Sequence, residues 1–296
     1  MKKCLVCNSP DTSMFLECTD HFVSGEKFIV NRCKTCGFRF TANAPDEMSI
    51  AGYYHSENYI SHSNTQKGIV NSLYHQVRKF MLGQKCKMIK HFTPGKKILD
   101  IGCGTGHFLN YMQHKGFQVS GVEIEPSARK FAMENFNLAV RSPRETLNEK
   151  HTGEFDVVTL WHVLEHIYDI KGYLEWIFDS LKPNGFLFVA LPNFDSYDAQ
   201  KYAKYWAAYD VPRHLWHFNP LTFEKLINQY EFQTIRVKPL VFDAYYNCMM
   251  SARYAGKKLS FLQGLFTGQI SNFHSLFNPE KSSSVVYVVK KPGPKQ

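Results

Sequence analysis

The chain has 296 residues, 44% of them apolar and 21% charged, and a formal net charge of +9. This composition excludes a disordered chain, and no run of 18 apolar residues marks a membrane span. The positive charge suits anionic partners (nucleotide-sugars, RNA or acidic lipid surfaces) without choosing among them, and the opening MKKCLVCNSP carries no apolar leader, so a cytoplasmic location is expected.

Residues 1–42 contain two CxxC pairs, Cys4/Cys7 and Cys33/Cys36. In a reducing compartment such pairs read as ligands of structural zinc rather than as disulfides, because four thiolates close a tetrahedral site. The alternative is four free thiols. The other four cysteines, at 18, 86, 103 and 248, read as core residues. Residues 43–92 follow as a linker or lid and a helix. The stretch 43–64 is polar, Tyr-rich and without period, whereas 68–92 places apolar residues at helical spacing.

From residue 93 to the end, short apolar runs alternate with helical segments. The runs are 97–103, 118–124, 138–142, 155–161, 185–192, 232–242 and 283–291. The helical segments include 107–116, 126–136, 170–185 and 222–232. This βα rhythm predicts an α/β fold: a seven-stranded, mostly parallel, doubly wound sheet with the small ribbon in front. An aromatic and basic insert at about 243–281 separates the last two runs. It reads either as a helical cap on the core or as a surface that covers substrate or touches a membrane.

The first strand-to-helix turn is KILDIGCGTGHFL, in which Gly102, Gly104 and Gly106 let the backbone turn sharply and let a ligand approach main-chain N–H groups. Asp100 precedes the first glycine by two, and the second run ends at Glu123, where a ribose diol would lie. With these, LDIGCGTG, FDVVTLWHVLEH and LKPNGFLFVALPN resemble the motifs of Rossmann-fold, S-adenosylmethionine-dependent methyltransferases over residues 93–240. The resemblance implies that Asp100, Gly102 and Gly104 surround the methionine end of S-adenosylmethionine. Glu123 would hold the ribose and Ile124 would lie beside the adenine. Cys103, Gly106, Trp161 and Tyr59 join this cofactor-binding set, Tyr59 (with Tyr54) from a segment that resembles a lid. The adenine contact after the third strand falls in RSPRETL and stays open.

In the same family the end of the fourth strand faces the transferred methyl group. His162, Glu165 and His166 stand there, in WHVLEH. Three readings are open: His162 as general base; His162, Glu165 and His166 as a second divalent-metal site; or Glu165 and His166 as braces of the turn. The metal reading rests on a resemblance to the ubiquinone-pathway O-methyltransferase and the small-RNA 2′-O-methyltransferase, which carry Glu-x-x-Glu-His here. His162 at the first position favours Zn²⁺ or Mn²⁺ over Mg²⁺. A second cluster, YDVPRHLWHFNPLTF, adds Asp210, Arg213 as a phosphate or carboxylate clamp, His214 and His217 as partners of the first cluster, and Thr222 as a helix cap.

The expected activity is methyl transfer to a small hydroxylated acceptor. The ribbon ahead of this fold resembles methyltransferases of glycan assembly, so a sugar or sugar-nucleotide is the leading acceptor. An RNA methyltransferase gripping RNA through the ribbon is one alternative, disfavoured because Lys and Arg are scattered. A non-catalytic cofactor-binding scaffold is the other.

Overall fold

The computed structural model describes residues 3–54, 69–149 and 152–294. Tyr59 and the rest of 55–68 lie outside the described residues.

Two sheets organise the chain. Strands β1 (Thr12–Thr19), β2 (Lys27–Cys33) and β3 (Arg39–Thr41) form an antiparallel meander, and β9 (Trp216–His217) adds to its edge beside β3. The mixed seven-stranded sheet expected from the sequence has the order β10-β11-β8-β7-β4-β5-β6. Its members are β4 (Lys97–Ile101), β5 (Gln118–Val122), β6 (Val140–Arg141), β7 (Phe155–Trp161), β8 (Leu181–Pro192), β10 (Gln233–Pro239) and β11 (Ser284–Lys290). β4 lies parallel to β5 and β7, and β5 parallel to β6. Six of the seven apolar runs contain one of these strands, whereas the fifth, 185–192, is only the end of β8, which starts at Leu181 inside the segment 170–185 expected to be helical. The sixth stops early: Pro239 ends β10, and Val241 already opens a helix. The insert therefore begins two residues before its expected start.

The chain divides into two compact units. One comprises Glu57–Trp161, Ile170–Phe188 and Val289–Gln296. Its strands are nearly continuous apolar runs because helices cover both faces of a parallel sheet. Ile98, Val157, Val158 and Leu160 are fully buried, as are Leu109 and Met112 of helix α2 (His107–His114). Helices α1 (Ile69–Phe92), α3 (Pro126–Phe136), α4 (Pro143–Leu147) and α5 (Ile170–Ser180) complete this unit.

The other unit comprises Met1–Ser56, His162–Asp169 and Val189–Val288. Within it the cysteine ribbon buries no core of its own. Cys18, Phe28 and Val30 pack in one cluster with Phe194, Tyr202, Trp206, Tyr209 and Val211 and with Cys248 and Ala252. The first of these later segments surrounds helix α6 (Tyr197–Tyr202), and the last two residues lie on helix α8 (Val241–Tyr254). Helix α7 (Pro220–Ile227) is capped by Asn219, whose side chain accepts from the Thr222 N–H, while the Thr222 hydroxyl accepts from Asn219 N–H. The expected cap, Thr222, is thus the third residue of the box rather than the cap itself. The insert forms a hairpin of α8 and α9 (Ser260–Phe277).

Candidate functional site

The glycine turn joins β4 to α2 in left-handed backbone: φ is 71° at Gly102, 54° at Gly104 and 79° at Gly106. The glycines serve different needs. A Cβ on Gly106 would lie 2.6 Å from Leu138 Cδ1 and 2.9 Å from Ala132 Cβ, so helix packing forbids a side chain there. A Cβ on Gly104 would meet nothing within 4 Å. That position opens onto free space, which a ligand can occupy.

Glu123 braces the turn. Its carboxylate accepts from the N–H of Gly104 at 2.8 Å and of Glu125 at 2.9 Å. Two N–H groups leave oxygen lone pairs for a further donor. Ile124 beside it is 72% exposed, an apolar side chain without cover. Cys103 contributes backbone only: its thiol packs into the core with Leu109, Ala132, Leu138 and Val140, and burial pushes its pKa far up, so it is no nucleophile. Asp100 is buried and accepts from the Thr159 hydroxyl. Burial raises its pKa to about 7; the Thr159 hydrogen bond and the Lys85 ammonium oppose the rise, and Glu123 adds to it. A buried carboxyl in that state is a seat for a cationic group. At the end of β7, Trp161 packs edge-on against Phe108, with the Lys85 ammonium 4.0 Å from its ring centre. Ser142, in the segment expected to touch adenine, caps α4 instead.

The second set of groups lies in the other unit. His162 follows β7 with φ 58°, and a single turn, Leu164–His166, comes next. The Glu165 carbonyl accepts from Leu215 N–H, which ties this turn to the 209–217 loop. The Glu165 side chain is 1% exposed, and neither carboxylate oxygen has a hydrogen-bond partner among the described residues. Buried acids elsewhere in the unit are satisfied: Asp198 accepts from Trp206, Ser271 and Ser283. A buried carboxylate without a close donor is costly, and here it has the His162 imidazole at ion-pair distance and faces His166 and His214. One carboxylate oxygen of Glu165 and one ring nitrogen each of His166 and His214 lie within 4.8 Å of one another.

The tautomers follow from their partners. His166 Nδ1 lies 3.0 Å from the Arg213 carbonyl, and His214 Nδ1 lies 2.9 Å from the Ala208 carbonyl. A carbonyl only accepts, so both Nδ1 atoms carry a proton; the Nε2 of His214 lies 3.9 Å from Asp210 Oδ2. The Tyr54 hydroxyl also reaches His166 Nδ1, at 3.0 Å. Burial and the neighbouring His214 lower His166 to about 4, which keeps it neutral. One carboxylate and two oriented imidazoles are a ligand set for a divalent ion of borderline softness.

His162 stands outside that set. Its Nε2 is 2.9 Å from Asp243 on α8, and its Nδ1 is 3.5 Å from Glu165, an ion-pair distance too long for a good hydrogen bond. Burial works against its charge, but Asp243 and Glu165 outweigh it and raise the pKa to about 10. Asp243 and Glu165 both favour the protonated imidazole, which weighs against His162 as the base. His217 is committed to the Thr41 hydroxyl at 3.1 Å. Arg213 is not an anion clamp. It donates from Nε and NH2 to Asp210, from NH2 to Asp20 and from NH1 to the Tyr53 carbonyl, and it is 3% exposed. Asp243 gave no signal in the sequence, since 81 residues separate it from His162.

At the N-terminus, Cys4 Sγ lies 3.5 Å from Cys36 Sγ and Cys7 Sγ 3.5 Å from Cys33 Sγ, with all four sulfurs within 4.8 Å. A Zn–S bond of about 2.3 Å puts tetrahedral sulfurs about 3.8 Å apart, so the cage has the right size. Each knuckle turns through left-handed backbone, at Asn8 and Gly37. Burial raises the Cys33 thiol, but the N–H groups of Cys36 and Thr35 outweigh it and bring it down to about 7, toward the thiolate that a metal needs.

A family model described as a methyltransferase domain matches residues 73–237. A curated relative, the ubiquinone biosynthesis O-methyltransferase of Shewanella halifaxensis, is 36% identical over 105 residues, 33% of this chain and 44% of that protein. The chain therefore spans less than half the length of the curated relatives it matches. Among solved structures, a candidate sarcosine dimethylglycine methyltransferase from Galdieria sulphuraria superposes with a TM-score of 0.52 at 14% identity, covering 73% of this chain and 86% of that one. An S-adenosylmethionine-dependent methyltransferase from Archaeoglobus fulgidus gives 0.50 at 18%, covering 72% and 94%. At these identities the superpositions speak for the fold.

The two glycines should separate stability from binding. Gly106→Ala should lower the unfolding free energy by roughly 2–4 kcal/mol, from overpacking and backbone strain. Gly104→Val should cost little more than its strain of about 1–2 kcal/mol but abolish S-adenosylmethionine binding by calorimetry. Undiminished binding by the Gly104 variant would remove the turn from the cofactor site.

Proposed function

The chain belongs to the methyltransferase-domain family and is an S-adenosylmethionine-dependent methyltransferase, and on that premise we propose that it methylates an oxygen of a small acceptor with neighbouring hydroxyls, held by a divalent ion on Glu165, His166 and His214. The observation that carries the proposal is Glu165, buried without a close hydrogen-bond donor among the described residues and with a ring nitrogen of His166 and of His214 within 4.8 Å. Three protein ligands leave coordination positions open for acceptor oxygens. Such an ion, when bound, favours loss of a proton from a hydroxyl it holds. The sulfonium of S-adenosylmethionine supplies the methyl group.

This chain's own residues do the rest. Arg213 and Ala208 carbonyls fix the two ligand imidazoles, so their lone pairs need no reorientation. The cationic His162, held by Asp243, offsets the charge of Glu165 and orients it. Glu123 offers oxygens to the ribose, and Asp100 offers a carboxylate to the cationic end of the cofactor. Cys4, Cys7, Cys33 and Cys36 hold a structural zinc that closes the knuckles. The curated relatives are named for O-methylation in ubiquinone biosynthesis, which supports a hydroxylated acceptor and lends nothing to a sugar. Neither RNA methylation nor a scaffold role draws support from them.

A second reading shares the same geometry: without a metal, Nε2 of His166 or His214 takes the acceptor proton directly. Metal counting with activity separates the two. The protein should carry a zinc that Cys4→Ser removes and a second divalent ion that Glu165→Gln removes. Transfer of labelled methyl to adjacent-hydroxyl acceptors should fall about 100-fold or more when the second ion is stripped. Full activity without that ion would favour the histidine base.

The Asp100 carboxyl makes cofactor affinity pH-dependent. It is charged above about pH 7, so a cationic ligand should bind more tightly as pH rises from about 6 to about 8, by up to about tenfold. S-adenosylhomocysteine, which lacks the sulfonium charge, should respond less, and Asp100→Asn should flatten the difference. Equal slopes for both ligands in the wild type would place Asp100 away from the sulfonium.

A further inference from the structure

Helix α9 is built the wrong way round for a helix in water. The side it turns inward carries small and polar residues: Gly264, Thr267, Gly268, Ser271 and Ser275 are buried. Gly264 and Gly268 let α8 come close, since a Cβ on the first would lie 2.4 Å from Met249 Cα and on the second 3.0 Å from Tyr245 Cα. The hydroxyls are satisfied within the fold: Ser271 donates to Asp198, and Thr267 accepts from Lys201. The outward side carries the large apolar residues. Phe261, Leu262, Phe266, Phe273, Leu276 and Phe277 are 55–78% exposed. They lie on one side of the helix in two groups, 261–266 and 273–277, with the exposed Gln269 between them.

Charge identifies what covers this face. From residue 244 to 279 the chain has no acidic residue, while Arg253, Lys257 and Lys258 are exposed at the hairpin turn. A Phe- and Leu-rich face flanked by cations, with no anion over 36 residues, complements an anionic lipid surface. No helix among the described residues is long and apolar enough to cross a membrane. A helix of this kind lies in the interface plane. We propose that α9 docks the protein on the surface of an anionic bilayer, its phenylalanines in the acyl boundary and the Lys257–Lys258 turn at the headgroups.

The test is flotation of the full-length protein with phosphatidylglycerol-containing vesicles and with pure phosphatidylcholine vesicles. The wild type should float with the anionic vesicles and far less with the neutral ones, and added salt should weaken binding. The triple variant F266S/F273S/F277S should lose about tenfold or more in affinity. Lys257→Glu with Lys258→Glu should lose affinity for anionic vesicles without changing the melting temperature. All five positions are exposed, so unchanged melting and unchanged S-adenosylhomocysteine binding verify that the variants are folded. Equal binding to both vesicle types would overturn the anionic surface. No binding to either would overturn docking altogether, as would a concentration-dependent dimer in light scattering that the triple variant abolishes, because a second copy would then cover the face.

Discussion

The buried guanidinium of Arg213 is the interaction on which the polar site depends. It sits at 3% exposure between Asp210 and Asp20, with the Tyr53 carbonyl on a third edge. Asp20 is itself fixed by the N–H groups of Phe22, Val23 and Ser24. One side chain thus joins the β1–β2 hairpin of the ribbon, the end of the segment before residue 55 and the 209–217 loop. Removing one partner of a buried pair typically costs about 3–5 kcal/mol, because the remaining charge is stranded. The consequence for chemistry is direct. The Arg213 carbonyl orients His166, and His214 is the next residue. Both ligand imidazoles are therefore referenced to a charge pair that a surface loop could not maintain.

This arrangement gives the ribbon a meaning beyond a metal clip. Its third strand pairs with β9, Phe40 opposite Trp216 and Arg39 opposite His217, and its apolar residues share a core with Trp206, Tyr209 and Val211. The cysteine cage orders the meander, the meander presents Asp20 and Thr41, and these hold Arg213, His217 and the His214 carbonyl. The cysteine cage at the N-terminus and the imidazoles of the 209–217 loop belong to one folding unit. Glu165 is the exception within it. Where Asp20 and Asp198 collect close donors, Glu165 has among the described residues only the His162 imidazole at 3.5 Å, which leaves its oxygens open to a further partner.

Much of this was legible in the sequence, for identifiable reasons. Parallel strands covered on both faces read as unbroken apolar runs, so β4 and β7 announced themselves. The glycine turn was legible because left-handed backbone excludes most other residues. His166 and Glu165 were visible at a strand end. What was hidden depends on long-range pairing. The two-residue strand β9 has no periodicity, and it exists only because β3 offers it an edge. The partner of His162 proved to be Asp243, at the first turn of an insert whose next acid is Glu280. Arg213 looked like a ligand clamp because nothing in local sequence reveals that Asp20 neutralises it. The inverted face of α9 was invisible as well, since a mixture of Phe, Ser and Gly does not say which side is covered.

The central claim is that Glu165, His166 and His214 hold an ion distinct from the zinc of the ribbon. The most direct measurement is anomalous diffraction from crystals of the protein as purified, with data collected on both sides of the absorption edges of zinc and manganese. The account predicts two peaks, one among Cys4, Cys7, Cys33 and Cys36 and one between Glu165, His166 and His214. A single peak at the cysteines, with Glu165 hydrogen-bonded to an ordered donor, would contradict it.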